Sequence, residues 1–191
     1  AAGAQVAVAG CDDASRSSAA AAAVAASSCA GSSSALHTAT STLDRYFSSI
    51  EFRFGIAEVL TQVSEKPLRM TVGLFSLLSL FLRRLTDRML SSIESERDME
   101  ERFWERMSEV LIGELHSCAK TTAATAVNRF VNAKRHGQCH SDDEEICAHA
   151  GLSVPLLPSD CCIVPLSVES RIQLTAVLEF IAGEMLELSK R

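Results

Sequence analysis

The last eighteen residues, 174–191, constrain the fold most, because their large apolar side chains recur at helical spacing. At about 100° per residue, these side chains fall within an arc of roughly 100°. They are Leu174, Val177, Leu178, Ile181, Met185 and Leu188. Glu179, Glu184 and Glu187 fall on the other side of the same helix. The stretch therefore predicts an amphipathic helix that must bury its apolar face against another part of the chain.

A second stretch, Thr71–Glu100, predicts an unusually long helix. At 1.5 Å per residue it would extend for about 45 Å. One of its faces carries Leu74, Leu77, Leu78, Phe81, Leu85 and Met89. We expect this helix and the C-terminal one to pack together, because neither can bury its apolar face alone. Shorter helices are predicted before Pro67, over Phe103–Ile112 and over Gly113–Lys134.

Composition and charge argue against several classes of protein. The 191 residues carry a net charge of −6, so the chain as a whole is not a polycation for nucleic acid. Most of the deficit lies in residues 137–191, with three basic and nine acidic side chains. The apolar run 74–82 is too short for a membrane helix, which needs about 20 residues. The Ala-rich start lacks the basic region of a secretory signal, so we expect free thiols and no membrane partner.

The residue order of the last helix resembles a known family. Leu-Thr-Ala-Val-Leu-Glu-Phe, then Ala-Gly-Glu-Met-Leu-Glu-Leu, is similar to the central helix of core histones of the H-two-A type. That family reads Leu-Ala-Ala-Val-Leu-Glu-Tyr, then Thr-Ala-Glu-Ile-Leu-Glu-Leu. Residues 150–155 likewise resemble the Ala-Gly-Leu-Gln-Phe-Pro that leads into the family's fold. Pro158 and Pro165 then leave no room for the family's basic first helix.

Residues 50–135 resemble core histones of the H-two-B type. Residues 58–63 are similar to the Lys-Val-Leu-Lys-Gln-Val of that family's first helix, and residues 113–115 match the Gly-Glu-Leu that opens its C-terminal helix. Phe81 and Arg88 match the Phe and Arg of the family's central helix. The chain departs from the family in the loop between its second and third helices. That loop is about seven residues shorter and lacks the basic Lys-Arg-Ser-Thr element.

Together the two resemblances imply an all-α chain with a histone fold. Two helix-loop-helix halves would pair in handshake fashion, within the chain or between chains, with the second half incomplete. The implied domains are a disordered tail (1–38), an H-two-B-type fold (39–135), an acidic linker (136–149) and a partial H-two-A-type fold (150–191). The implied interface is Leu74, Leu77, Phe81 and Leu85 against Val177, Leu178, Ile181 and Met185.

The resemblance also implies a function, which is a structural role in nuclear chromatin. The chain would pair with core histones and package DNA, with no cofactor and no enzymatic activity. The implied DNA contacts are Lys66, Arg69, Arg97, Arg102 and Arg171. Because the basic surface is sparse, the alternative is a histone-fold protein-interaction subunit with little DNA binding.

Four glutamates match the histone acidic patch, which receives the arginine anchors of chromatin proteins. They are Glu114, Glu179, Glu184 and Glu187. A further patch glutamate of the H-two-B type is Thr122 here, so the implied patch is partial. The alternative interpretation is an ordinary solvated acidic face.

The cysteines offer weaker patterns. Cys139, His140, Cys147 and His149 cluster in sequence, but no close Cys-x-x-Cys pair favours zinc over incidental linker residues. Cys161 and Cys162 are adjacent and would allow a redox pair, although nothing around them predicts one. No order of nucleophile and base indicates catalysis. We therefore expect neither a metal site nor an active site.

Overall fold

A computed structural model of the chain describes residues 40–64, 70–91, 93, 95–138, 142–162 and 164–189, with the backbone alone for 96–100. Within these residues there are seven helices and no strand, which confirms the all-α prediction. The helices are α1 (residues 40–48), α2 (Ile50–Val63), α3 (Val72–Leu90), α4 (Glu96–Val110), α5 (Glu114–Arg135), α6 (Asp143–Ala150) and α7 (Val168–Leu188). None of the described helices is long and apolar enough to cross a membrane. The predicted tail, 1–38, lies outside the described residues.

Side-chain caps determine where three of the helices begin. The hydroxyl oxygens of Ser49, Thr71 and Ser167 accept hydrogen bonds from backbone N–H groups in the first turns of α2, α3 and α7, at 3.0–3.2 Å. Such caps satisfy donors that a helix start otherwise leaves without a partner. The spacing of Ser170 and Gln173 in the sequence predicts a capping box at the start of α7. The cap is instead Ser167, and Ser170 lies within the helix.

The predicted long helix is broken after Leu90. Ser91 donates its hydroxyl to the Arg88 carbonyl at 3.0 Å, and such local hydrogen bonds compete with helix propagation. The turn that follows buries Ile93, which is only 1% exposed. Burial of this side chain offsets the lost helical hydrogen bonds. A separate helix, α4, then extends seven residues further upstream than the predicted start at Phe103.

Helix α7 lies at the centre of the core. Leu174, Val177 and Leu178 are each at most 1% exposed, and twelve of its residues are buried. Its most extensive contacts are with α5 and α2, whereas it meets α3 over a small area. The buried stripe of α5 includes Ala119, Ala123 and Ala126, and small side chains let helices approach closely.

The implied pairing of long helices is only partly correct. Leu85, Val177, Leu178 and Ile181 are buried, while Leu74 and Met185 are partly buried against the same core. Pairing between chains through Leu77 and Phe81 stays a prediction, but within the chain these side chains are 68% and 42% exposed and lie outside the interface. The reason is competition, because α5 and α2 cover most of the α7 surface that α3 would have covered.

The predicted linker also contains an ordered element. Helix α6 occupies its second part and packs against α5, with Ile146 and Ala150 buried. The helix ends at Gly151, whose φ of +75° is a left-handed conformation that glycine adopts without strain. The two implied halves therefore share one core, and all described residues belong to a single unit, Ala35–Arg191.

The segment between α6 and α7 has no helix in its described residues, as its two prolines predict. It is held by other elements instead. The Tyr46 hydroxyl of α1 donates to the Pro155 carbonyl at 2.6 Å, and the Leu157 N–H donates to the Thr175 hydroxyl of α7 at 3.0 Å. Gly55 of α2 lies so close that a Cβ there would come within 2.5 Å of the Ser153 carbonyl oxygen.

We expect Gly55→Ala to lower the free energy of unfolding by about 1–3 kcal/mol, because the new methyl group meets backbone and forces overpacking. Gly73→Ala is the matched control, since nothing lies within 4 Å of a Cβ at that helical position. The control should be neutral or stabilising by up to about 1 kcal/mol. Urea unfolding monitored by circular dichroism measures both, and equal effects of the two substitutions would contradict the close approach.

Candidate functional site

A cleft of about 370 Å³ opens between α2, α5, α7 and the residues that follow α6. Helix α7 contributes three carboxylates, those of Glu179, Glu184 and Glu187. Helix α5 contributes hydroxyl groups and the Arg129 guanidinium, and α2 contributes Val59 and Val63. The cleft therefore joins an acidic edge to an apolar interior.

The spacing of residues along α7 explains the cleft. Its lining positions are Ala176, Glu179, Phe180, Gly183, Glu184 and Glu187, which lie one above another on a helix. The small residues Ala176 and Gly183 leave room that larger side chains would fill. The lining positions of α5, from Thr121 to Arg129, follow the same spacing. Two facing helical rows therefore form the site, one acidic and one mostly of threonine.

Glu179 has a structural role that the sequence analysis missed. One of its carboxylate oxygens accepts the backbone N–H groups of Ser153 and Val154 at 2.8 and 3.1 Å. Burial raises the pKa of Glu179 above its ordinary value, although these two hydrogen bonds act in the opposite direction and the nearby Glu58 adds to the rise. The carboxylate joins the loop to α7, so it is committed within the chain.

Glu184 and Glu187 are in a different position. Both are exposed, and the described residues provide no ion-pair partner for either. Arg129 lines the same cleft, with its guanidinium beside Gly151, and offsets part of the negative charge. Two carboxylates next to an apolar cavity can accept an incoming cation that has an apolar stem.

The fourth predicted patch residue, Glu114, lies apart from this group. It is exposed in the first turn of α5 and does not line the cleft. Thr122, which stands where the resembled histones have a glutamate, does line the cleft and is exposed. The structure thus brings together three of the four predicted glutamates. Thr122 lines the same cleft at the position where the predicted patch lacks a glutamate.

The prediction that Arg171 contacts DNA is wrong. Arg171 is only 9% exposed, and its guanidinium donates to the Leu157 carbonyl and to the Asp143 carboxylate, both at 2.5 Å. This ion pair joins the start of α6 to the start of α7. A buried arginine that lost this partner would be strongly destabilising, so the pair is structural.

The other implied DNA contacts stay predictions. Arg102 is exposed on α4. Lys66 and Arg69 lie outside the described residues, and so does the side chain of Arg97. Of the predicted DNA contacts, Arg102 is therefore the one whose side chain is both described and exposed.

The described cysteines take part in no metal cluster. Among the described residues, no three potential ligands come together to hold a metal ion, and Cys139 and His140 lie outside that part of the chain. Cys147 donates its thiol to the Val154 carbonyl at 3.7 Å, and burial raises its pKa to about 11. Cys161 and Cys162 are buried free thiols. Such inaccessible groups are inert in most proteins.

Comparisons with known proteins do not place the chain in a family. Neither a scan against protein-family models nor a search of curated proteins found a match.

We expect Glu179→Gln to keep both hydrogen bonds through its amide oxygen while removing a half-buried charge. Glu179→Ala leaves the Ser153 and Val154 N–H groups without an acceptor, which should cost about 1–3 kcal/mol. The raised pKa means that Glu179 contributes most to stability below the ordinary value of 4.5 and that this contribution is lost as pH rises through its folded pKa. The wild type should therefore lose stability relative to Glu179→Gln over that rise.

Denaturant unfolding of all three proteins at a series of pH values upward from 4.5 measures this. A Glu179→Gln variant as unstable as Glu179→Ala would show that the hydrogen bonds are not what the carboxylate contributes.

Proposed function

We propose that this chain is a histone-like protein-interaction module of chromatin whose acidic cleft binds an arginine side chain of a partner protein. The observation that carries the proposal is the pair Glu184 and Glu187, both exposed and without an ion-pair partner in the described residues, beside a 370 Å³ cleft. A guanidinium forms bidentate bonds with carboxylates, which favours arginine over lysine. The aliphatic stem would pack on Val59 and Phe180.

The histone fold itself is part of this proposal. The helices of residues 50–135 follow the order short, long, short and C-terminal, which is the order in the resembled H-two-B type. Helix α7 matches the central helix of the H-two-A type and packs on α2 and α5 of the first half. The two halves share one core, although the small contact of α3 with α7 departs from a handshake between two long helices. Location in the nucleus, with core histones and arginine-bearing chromatin proteins as partners, follows from the same resemblance.

We expect Glu184→Lys with Glu187→Lys to abolish binding of an arginine-bearing peptide, because two attractive charges become repulsive. Thr122→Glu should strengthen binding by up to about fivefold, since a partly exposed ion pair contributes about 0.2–1 kcal/mol. Glu114→Lys is the control, because it reverses a charge of the predicted patch outside the cleft. Fluorescence anisotropy of a labelled peptide at low salt measures all four proteins.

A second peptide, with its arginine replaced by alanine, serves as the ligand control. The proposal fails if the wild type does not distinguish the two peptides. It fails equally if Glu114→Lys weakens binding as much as the double substitution, since the effect would then be general electrostatics rather than the cleft.

A second candidate function is DNA packaging, favoured by the resemblance and by the exposed Arg102 on α4. Histone–DNA contacts are made to phosphates by arginine and lysine side chains, without reading of bases. The commitment of Arg171 to Asp143 argues for few such contacts. The acidic residues 142–145 would repel the same phosphates.

We therefore expect weak DNA binding with a shallow salt dependence. Log affinity falls by about 0.9 for each phosphate neutralised, and we expect a slope equivalent to about two to four phosphates. Salt titration on duplex DNA measures the slope. A slope equivalent to about eight or more phosphates would favour a working nucleosomal histone, whereas no binding at low salt would remove the DNA role.

A further inference from the structure

The exposed face of α3 carries an apolar stripe that continues into arginines. Leu77 and Phe81 are 68% and 42% exposed, and Arg84 and Arg88 follow on the same face at helical spacing. Together they extend over about 17 Å of helix. Single exposed apolar side chains are ordinary, but aligned ones mark surfaces that another molecule covers. We call these four residues the α3 stripe.

The arginines of the α3 stripe are largely uncommitted. Arg84 has no ion-pair partner among the described residues. Arg88 reaches Glu109 only at 3.9 Å and remains 68% exposed, and that carboxylate also lies 3.4 Å from Arg106. Their neighbour Arg83 differs, because it pairs with Asp44 at 2.7 Å. The arginines of α3 that are unpaired or weakly paired, Arg84 and Arg88, are therefore those in line with its exposed apolar side chains.

Helix α7 carries a surface whose charges are opposite to those of the α3 stripe, with an exposed apolar side chain beside them. Glu184 and Glu187 are exposed, and Leu188, which follows Glu184 by one turn near the margin of the apolar face, is 64% exposed. The carboxylates are three residues apart and the arginines of the α3 stripe are four apart. Both spacings correspond to about one helical turn of 5.4 Å. Two arginines can therefore meet two glutamates at once, with Leu188 available to cover the aromatic or leucine side chain next to them.

The two surfaces do not meet within one chain. We call Glu184, Glu187 and Leu188 the acidic edge. Helices α3 and α7 already contact each other, while the α3 stripe and the acidic edge both remain exposed. A second copy of the chain supplies each surface with its complement. Two copies can exchange both contacts about a two-fold axis, or each copy can dock on the next to form a ring or an open chain.

We propose that the α3 stripe of one copy docks on the acidic edge, Glu184, Glu187 and Leu188, of a second copy. This inference rests on the proposed function, because it uses the same carboxylates as arginine-binding groups. It names the chain itself as one partner of the cleft. Charge complementarity gives the contact its register, and the apolar side chains give it buried area.

Charge exchange tests the docking in the full chain. Arg84→Glu with Arg88→Glu, and separately Glu184→Arg with Glu187→Arg, should each weaken self-association by on the order of 100-fold, because like charges then face each other. An equal mixture of the two variants should associate again, since the substituted stripe of one meets the substituted edge of the other. Sedimentation equilibrium over a range of concentrations measures all three samples.

A control with the same change in net charge is Arg45→Glu with Arg135→Glu, at exposed positions outside both surfaces. It should associate like the wild type. A monomeric wild type overturns the docking, as does a mixture that fails to associate again. A monomeric wild type that still binds the arginine peptide through Glu184 and Glu187 overturns only the self-association. Loss of both activities removes the proposed function as well.

Discussion

Helix α7 must be covered on almost every side, and the rest of the structure depends on this requirement. Ile172, Thr175 and Val177 are all fully buried, although they point in different directions around the helix. Even the Thr175 hydroxyl is satisfied, because it accepts the Leu157 N–H. A single partner helix covers one stripe only, so several elements have to converge on α7. The resulting shared core makes one unit of the described residues before and after the 136–149 segment.

Close packing around α7 depends on small residues in its neighbours. Alanines along α5 and Gly55 in α2 let these elements approach α7 and the irregular segment before it. The coverage stops near the C-terminal end of α7, where Glu184 and Glu187 are exposed. The acidic cleft therefore lies where the side chains of α7 are no longer covered by other helices. The carboxylates of Glu184 and Glu187 are exposed there, whereas that of Glu179 is held by the Ser153 and Val154 N–H groups.

The separate roles of the charged residues arise from contacts distant in sequence. Arg171 pairs with Asp143, 28 residues away, and Glu179 accepts two N–H groups about 25 residues away. Composition and periodicity showed both residues as charged positions in a helical pattern, which is equally typical of a solvated face. No local signal distinguishes Glu179 from Glu184, because both fit the same face of α7. The partner of Arg171 comes from the acidic first turn of α6.

The sequence by itself determined the all-α class, the non-helical segment with two prolines and the row of glutamates along α7. These features are local, since caps, prolines and helical spacing act within a few residues. Only the tertiary structure decided which apolar face meets which. Leu77 and Phe81 have the same spacing as the buried Leu85, yet they are exposed because α5 and α2 occupy the surface of α7. That outcome depends on which of several distant helices packs against α7, and the spacing of apolar residues within one helix does not predict it.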